Sequence, residues 1–331
     1  MSKFNIAVLG PIPRDHITTH KGEVIEKYGG VNNPVIAISK LLEDQGTVYP
    51  VTHVRKSDHE PINEILKPYK NVNLDFIRSD ADMGDIISLT FVDQNKRLEK
   101  QTGLMNPILP ADVEGILHCD VFVCVPITDF EIPYETIRYI KENSKGVIIF
   151  DAHGPTNSLT IHGDRVIRFW ADRDVWLPFI DVLKMNLEES NACWFKKEYT
   201  TEELENFDVD SQDHLEEFAK HVLDRGVKAL IVTLDDRGCV VFTKADGKIS
   251  HEFVRSVWVD NVVDTTGCGD SFAGGLGFGL LENSTDYIRA MQYANALGAQ
   301  RTQGRTFDVF KSRKETDAII ATTYAENVDD K

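Results

Sequence analysis

Between Val262 and Gly275 the chain reads Val-Val-Asp-Thr-Thr-Gly-Cys-Gly-Asp-Ser-Phe-Ala-Gly-Gly, an apolar strand running into a glycine-rich turn. The turn opens a helix that should end near Leu281. The first N–H groups of a helix have no partner inside it, so those of Gly267, Cys268 and Gly269 would point outward and hold an anion. Such an anion hole stabilises charge developing on a transferred phosphoryl group. Asp270 falls in the first helical turn, where its carboxylate can take the proton of an attacking hydroxyl beside the same anion. Cys268 shares the helix start, which favours thiolate, so a lowered thiol pKa is expected. A plainer reading makes the two glycines a tight turn and Asp270 a partner for the helix dipole.

These residues need a scaffold. Phe4–Leu9, Val121–Val125, Val147–Phe150, Val182–Met185 and Ala229–Thr233 are short apolar runs of the kind that form buried strands. Helical patterns lie between them, at 133–142 and at 211–224 with Leu215, Phe218, Ala219, Val222 and Leu223 on one face. Asn33 suits a helix N-cap and Pro34 the first helical position, ahead of Val35, Ile38, Leu41 and Leu42. Alternating strands and helices predict an α/β fold, a mostly parallel sheet covered on both faces. Ligands of such sheets gather beyond the carboxyl ends of the strands. Asp15, Asp151, Asn186, Asp235 and Asp270 all follow strand ends.

Residues 85–100 alternate in period two around Asp93-Gln94-Asn95-Lys96 and read as a β-hairpin. With 17–28 they predict a small lid sheet, leaving 1–16, 29–84 and 101–325 as the main domain. The hairpin shows apolar residues on both faces, Ile86 and Val92 on one and Ile87, Leu89 and Phe91 on the other. The charged segment 195–212 reads as solvated, and the last dozen residues as frayed.

The chain has 331 residues, 42% of them hydrophobic, enough for a full core without staples. Its net charge of −17 repels phosphate backbones, which argues against nucleic acid as a partner. Five scattered cysteines without a CxxC pair point to a reducing, cytoplasmic setting and away from zinc. No stretch is long and apolar enough for a membrane span, and residues 1–6 lack a signal-peptide pattern. No GxGxxG follows the first strand, which removes a dinucleotide dehydrogenase.

The string Asp264-Thr-Thr-Gly-Cys-Gly-Asp-Ser-Phe272 closely resembles the carboxyl-terminal signature of the ribokinase (PfkB) family, and other motifs follow in order along nearly the whole chain. Gly10–Ile17 resembles the family's first strand and loop, which implies that Asp15 holds substrate hydroxyls. Gly29-Gly30 resembles the Gly-Gly pair at the lid hinge. Asn33 stands one residue earlier than the family's usual asparagine, whose place Pro34 takes. Asn186-Leu-Glu-Glu189 resembles the NxxE motif, which implies that Asn186 and Glu189 organise Mg²⁺ through water. Thr233-Leu-Asp235-Asp-Arg-Gly238 resembles the loop beside the nucleotide, and Asn295 falls where the family lines its adenine pocket.

The resemblance implies a ribokinase-like kinase using ATP and Mg²⁺, with a monovalent cation such as K⁺ near Asp264 and a homodimer clasped lid to lid. Its acceptor is expected to be a small sugar. A nucleoside kinase of the same fold and a non-catalytic sugar- or nucleotide-binding protein are the alternatives. Asp151-Ala-His153-Gly replaces the family's frequent Asp-Pro-Asn, so the substrate half departs more than the phosphate half.

Overall fold

The computed structural model describes residues 4–92, 97–194, 200–202 and 211–325. Its centre is a nine-stranded sheet. In chain order the strands are β1 (Phe4–Leu9), β2 (Arg14–Thr18), β3 (Val24–Tyr28), β4 (Gly46–His53), β5 (Ile77–Arg78), β6 (Ile86–Phe91), β7 (Arg97–Gly103) and β8 (Val121–Cys124). There follow β9 (Val147–Asp151), β10 (Asn157–Leu159), β11 (Arg165–Ile167), β12 (Val182–Asn186), β13 (Ala229–Thr233), β14 (Gly238–Ala245) and β15 (Lys248–Arg255). The large sheet runs β15-β14-β13-β12-β9-β8-β1-β4-β5, parallel from β13 to β5 and antiparallel over its last two strands.

Both faces are covered, as alternation along the strands shows. Ile6, Val8, Val123, Ile149 and Val182 enter one apolar layer with Phe278 and Tyr293. Their neighbours Ala7, Leu9, Phe122, Phe150 and Leu183 enter the opposite layer with Trp176 and Phe218. Period two therefore puts Asp151, Lys184 and Asn186 on the first face, the one covered by the helix Cys268–Glu282. That helix packs on the helix Tyr287–Arg301 at backbone distance. A Cβ on Gly275 would lie 2.6 Å from the Tyr293 carbonyl oxygen, and one on Gly279 would lie 2.3 Å from the Ala290 Cα.

The smaller sheet has four strands, β3-β2-β6-β7. Its strand Arg14–Thr18 starts three residues before the lid boundary expected at 17, and Ile17 joins Ile87 and Leu89 in a small apolar cluster. Asp15 thus pairs with Ile87 in the ladder and lies on the buried face. Of the second face expected of the hairpin, Ile86 falls on the outer side and Val92, just past β6, is exposed. The same side carries His16, Thr18, Ser88 and Thr90, with Val24 and Leu98 as further exposed apolar residues.

The turn expected at 93–96 lies outside the described residues, as do most of the charged segment 195–212 and the chain end from 326. Among the described residues no helix is long and apolar enough to cross a membrane.

Candidate active site

A cleft of about 760 Å³ opens at the carboxyl ends of the parallel strands. Its lining includes Asp151, His153, Lys184, Asn186, Glu189, Thr233, Asp235, Gly267, Cys268, Gly269, Asp270 and Asn295. The strand-to-helix turn forms its head. Gly267 caps the helix in a left-handed conformation (φ +87°) that a side chain resists. Ser271 N–H makes the first helical bond, to the Gly267 carbonyl. Cys268 N–H turns back to the Thr265 carbonyl at 3.2 Å, which corrects the expected set of outward donors. At the helix start the N–H groups of Gly267, Gly269 and Asp270 have no acceptor among the described residues.

The Asp270 side chain faces the cleft and has no hydrogen-bond partner among the described residues. Burial, and next the charge of Asp151, hold its carboxyl above the usual aspartate value. Lys184, His153 and Arg301 partly offset them. A raised pKa makes a carboxylate a better proton acceptor.

Lys184 escaped the sequence reading, which took it as part of an apolar strand. Its Nζ donates to Asp151 Oδ2 at 2.7 Å, with both side chains buried. A Cβ on Gly269 would sit 3.5 Å from that Nζ, so the ammonium lies beside the helix start. Burial alone would lower the Lys184 pKa, but Asp151 and Glu189 outweigh it and hold the amine charged. A charged residue inside a strand that is otherwise buried on both faces was the available signal.

Asn186 and Glu189 form a capping box on the helix Leu187–Cys193. Asn186 Oδ1 accepts from Glu189 N–H at 2.7 Å, and Glu189 Oε2 accepts from Asn186 N–H at 2.8 Å. Glu189 Oε1 takes His153 Nδ1 at 2.7 Å. Each carboxylate oxygen keeps one lone pair, which suits contact with metal-bound water. Among the described residues no three acidic, histidine or cysteine side chains cluster as a metal cage. Mg²⁺ commonly relies on substrate phosphates and water with one or two carboxylates, and these residues fit it on those terms.

A monovalent cation near Asp264 does not fit. Asp264 Oδ2 already meets Lys27 Nζ at 2.8 Å and Arg301 Nη2 at 3.1 Å, and Oδ1 accepts Thr266 N–H at 2.9 Å.

Thr233 and Asp235 line the cleft beyond Glu189, beside Val257, Trp258, Val259, Val262 and Ala299. Asn295 lines it too, but its amide is committed to the carbonyls of Val254 and Arg255. Gly238 stands outside the cleft lining. A Cβ there would collide with the Val254 carbonyl oxygen at 2.2 Å, so the residue serves the β13–β14 connection.

Asp15, Gly29, Gly30 and Asn33 also lie outside that lining and gather next to its head. A Cβ on Gly29 would come within 2.5 Å of Asp15 Oδ2, and one on Gly267 within 2.5 Å of Asn33 Nδ2. The first helix spans Asn32–Leu42, two residues earlier than expected, with Val31 at the cap position. Asn33 is therefore not the cap; its Nδ2 donates to the Gly30 carbonyl, and its Oδ1 is buried without a partner. Burial pushes the Cys268 thiol up to about 12, overturning the lowered pKa expected from its helix position.

A mostly parallel sheet, a four-stranded lid and a glycine-framed helix start at the strand ends define a ribokinase-like α/β protein. Residues 163–306 match the family described as pfkB family carbohydrate kinase. It is 40% identical over 82 residues to the probable fructokinase-3 of Arabidopsis thaliana, covering 23% of this chain and 22% of that protein. The chain thus spans about a fifth of the curated relatives it first matches. In fold it resembles a pyrophosphate-dependent kinase in the ribokinase family, solved with a pyrophosphate analog and myo-inositol. The TM-score is 0.71 at 19% identity, over 95% of this chain and 99% of the other. It also resembles Arabidopsis thaliana ribokinase complexed with ribose and ATP, with a TM-score of 0.68 at 17% identity, over 97% and 99% of the two chains.

Proposed function

We propose that this protein is an ATP-dependent kinase that transfers the γ-phosphoryl group to a hydroxyl of a small sugar. The observation that carries the reading is the head of the cleft, where Asp270 stands at a helix start with three N–H groups that have no acceptor among the described residues and Lys184 stands alongside. There the N–H groups of Gly267, Gly269 and Asp270 hold the transferring phosphoryl oxygens, and Lys184 adds positive charge. Asp270 takes the proton of the attacking hydroxyl. Mg²⁺ supplies charge neutralisation on the donor phosphates when bound. Asn186 and Glu189 orient its water shell, and His153 fixes the Glu189 carboxylate through its 2.7 Å hydrogen bond.

The far half of the cleft supports a nucleotide donor, because Val257, Val259, Val262 and Ala299 give an apolar seat with Trp258 exposed at its edge. Asp15, with Gly29, Gly30 and Asn33 around it, supports an acceptor site for hydroxyls beneath the lid. Five free thiols suit a cytoplasmic enzyme. We place a homodimer contact on the outer lid face, where Val24 and Leu98 are exposed. A single 37 kDa species in light scattering would remove that contact.

The test is a turnover screen of sugars and nucleosides with ATP or pyrophosphate as donor, on the wild type and Asp270→Asn. ATP-dependent phosphorylation of a sugar is expected, with kcat lower by about 10² or more in the variant and ATP affinity within a few-fold. Turnover with nucleosides alone moves the acceptor class, and turnover only with pyrophosphate moves the donor. Asp270→Asn retaining a tenth of the rate, where chemistry is limiting, removes the general base.

A further inference from the structure

We infer that Lys27, on lid strand β3, is a built-in replacement for a monovalent cation at Asp264 and positions the anion-hole loop while the lid hairpin is seated. The inference deepens the kinase reading and rests on it for its rate measurement. Its basis is the hydrogen bonding of the Asp264 carboxylate and of the carbonyls beside it. Asp264 Oδ2 takes both Lys27 Nζ and Arg301 Nη2, and Oδ1 takes Thr266 N–H. The nearby Thr302 carbonyl accepts from Val263 and Asp264 N–H at 2.7 and 3.2 Å, and the Gly304 carbonyl accepts from Arg301 Nη1. An added potassium ion would meet two fixed positive charges, both at Oδ2, and an Oδ1 that already accepts a hydrogen bond.

The placement of Lys27 matters as much as its charge. It lies 237 residues before its partner, on the strand that ends at the Gly29–Gly30 hinge, whereas Asp264 begins the loop leading to Gly267. A second contact joins the β2–β3 hairpin, which carries Lys27, to the same region, with Arg305 Nη1 2.9 Å from both carboxylate oxygens of Glu23. The Lys27–Asp264 pair is the sequestered one, its side chains 16% and 13% exposed, so solvent and salt screen it less than the Glu23 contact. A seated hairpin therefore pulls on Asp264, and Asp264 fixes Thr266 N–H one residue before Gly267. Lys27 acts on the reaction through this loop and is a positioning residue.

The experiment compares rates and thermal melts in potassium chloride and tetramethylammonium chloride at equal ionic strength. The wild type is expected to give the same kcat and melting temperature in both. Lys27→Met keeps the length of the stem and removes the charge. It is expected to lose about ten- to hundredfold in kcat in tetramethylammonium, with donor KM changed far less. Potassium or ammonium, filling the vacated position, should restore part of that loss and raise the melting temperature of this variant alone.

A wild type that needs potassium overturns the inference, as does Lys27→Met behaving like the wild type in both salts. If no salt or substrate gives turnover, the kinase reading falls while the melts still decide the cation question. A melting temperature raised by potassium only in Lys27→Met supports the replacement, and equal responses refute it. If Lys27→Met does not fold, Lys27→Arg is measured instead. It retains the charge and is expected to stay independent of potassium, so a potassium requirement in it refutes the inference.

Discussion

Replacing Gly267 and Gly269 separately by alanine separates what the turn does for the fold from what it does for chemistry. At Gly267 the backbone is left-handed (φ +87°), which costs an L-residue about 1–2 kcal/mol. The new Cβ would also lie 2.5 Å from Asn33 Nδ2, closer than real Cβ atoms come to a neighbour. The amide must give way and lose its 3.1 Å bond to the Gly30 carbonyl, and a buried polar group left unpaired costs about 1–3 kcal/mol. Together these give about 2–5 kcal/mol of lost stability. Gly269 differs, because its φ is not positive and its Cβ would meet only Lys184 Nζ at 3.5 Å, an ordinary contact. Alanine is the better helix former by roughly 1 kcal/mol, so Gly269→Ala should unfold no earlier than the wild type. Its methyl group would nevertheless stand where a phosphoryl oxygen is to be held, so its kcat should fall. Urea denaturation followed by circular dichroism, beside initial rates, measures both effects. Equal stability of the two variants, or a Gly269→Ala protein destabilised as much as Gly267→Ala, would refute the reasoning.

The acid limb of the kcat/KM profile should lie above the ordinary aspartate range, since Asp270 must be ionised and its pKa is raised. Asp151→Asn should move the limb down and Lys184→Met should move it up; shifts of the same sign would contradict the assignment. Asp264 has a carboxyl pKa lowered to about 2, because Lys27 and the Thr266 N–H outweigh the effect of burial. That contributes roughly 2 kcal/mol above its unfolded pKa, lost as pH falls from about 4 towards 2. Denaturation midpoints of Asp264→Asn should accordingly lack that drop. Asp15→Ala should raise acceptor KM by about ten- to hundredfold and leave ATP KM unchanged, charge-assisted bonds to hydroxyls being worth about 1.5–3 kcal/mol each. An equal effect on both substrates, with a lower melting temperature, would reduce Asp15 to a structural residue. Cys268→Ala should keep near-normal activity, and the native thiol should alkylate slowly because its pKa is near 12; a dead variant would give the sulfur a role.

The parts of the site legible in the sequence are those whose chemistry and local structure share one short stretch. Gly267, Gly269 and Asp270 announce a turn and a helix start together, and Asn186 with Glu189 announces a cap. The apolar strands were equally plain, since burial on both faces leaves uninterrupted runs such as Val121–Cys124. Lys184 was visible only as an exception inside such a run. Lys27 and Arg301 carried no local signal, because their meaning depends on chain segments brought together from 237 and 37 residues away. Asp15 was read as a loop residue because Pro11 and Pro13 mask the start of β2, whose pairing with β6 is set by residues some seventy positions later. Cys268 was misjudged through its surroundings: helix position is local, but burial is not.

The contact between the helices Cys268–Glu282 and Tyr287–Arg301 has a mechanical consequence. At Gly275 and Gly279 no side chain separates the two backbones, so there is no soft layer to compress or repack. The pair moves as one stiff beam, and Asp270 stands at its end. On the proposed function, substrates of different size must then be accommodated by travel of the lid, with Asp270 as a stationary reference point. Drift in acceptor preference should accumulate in lid residues, while substitutions along this glycine seam should be removed because they tilt the beam.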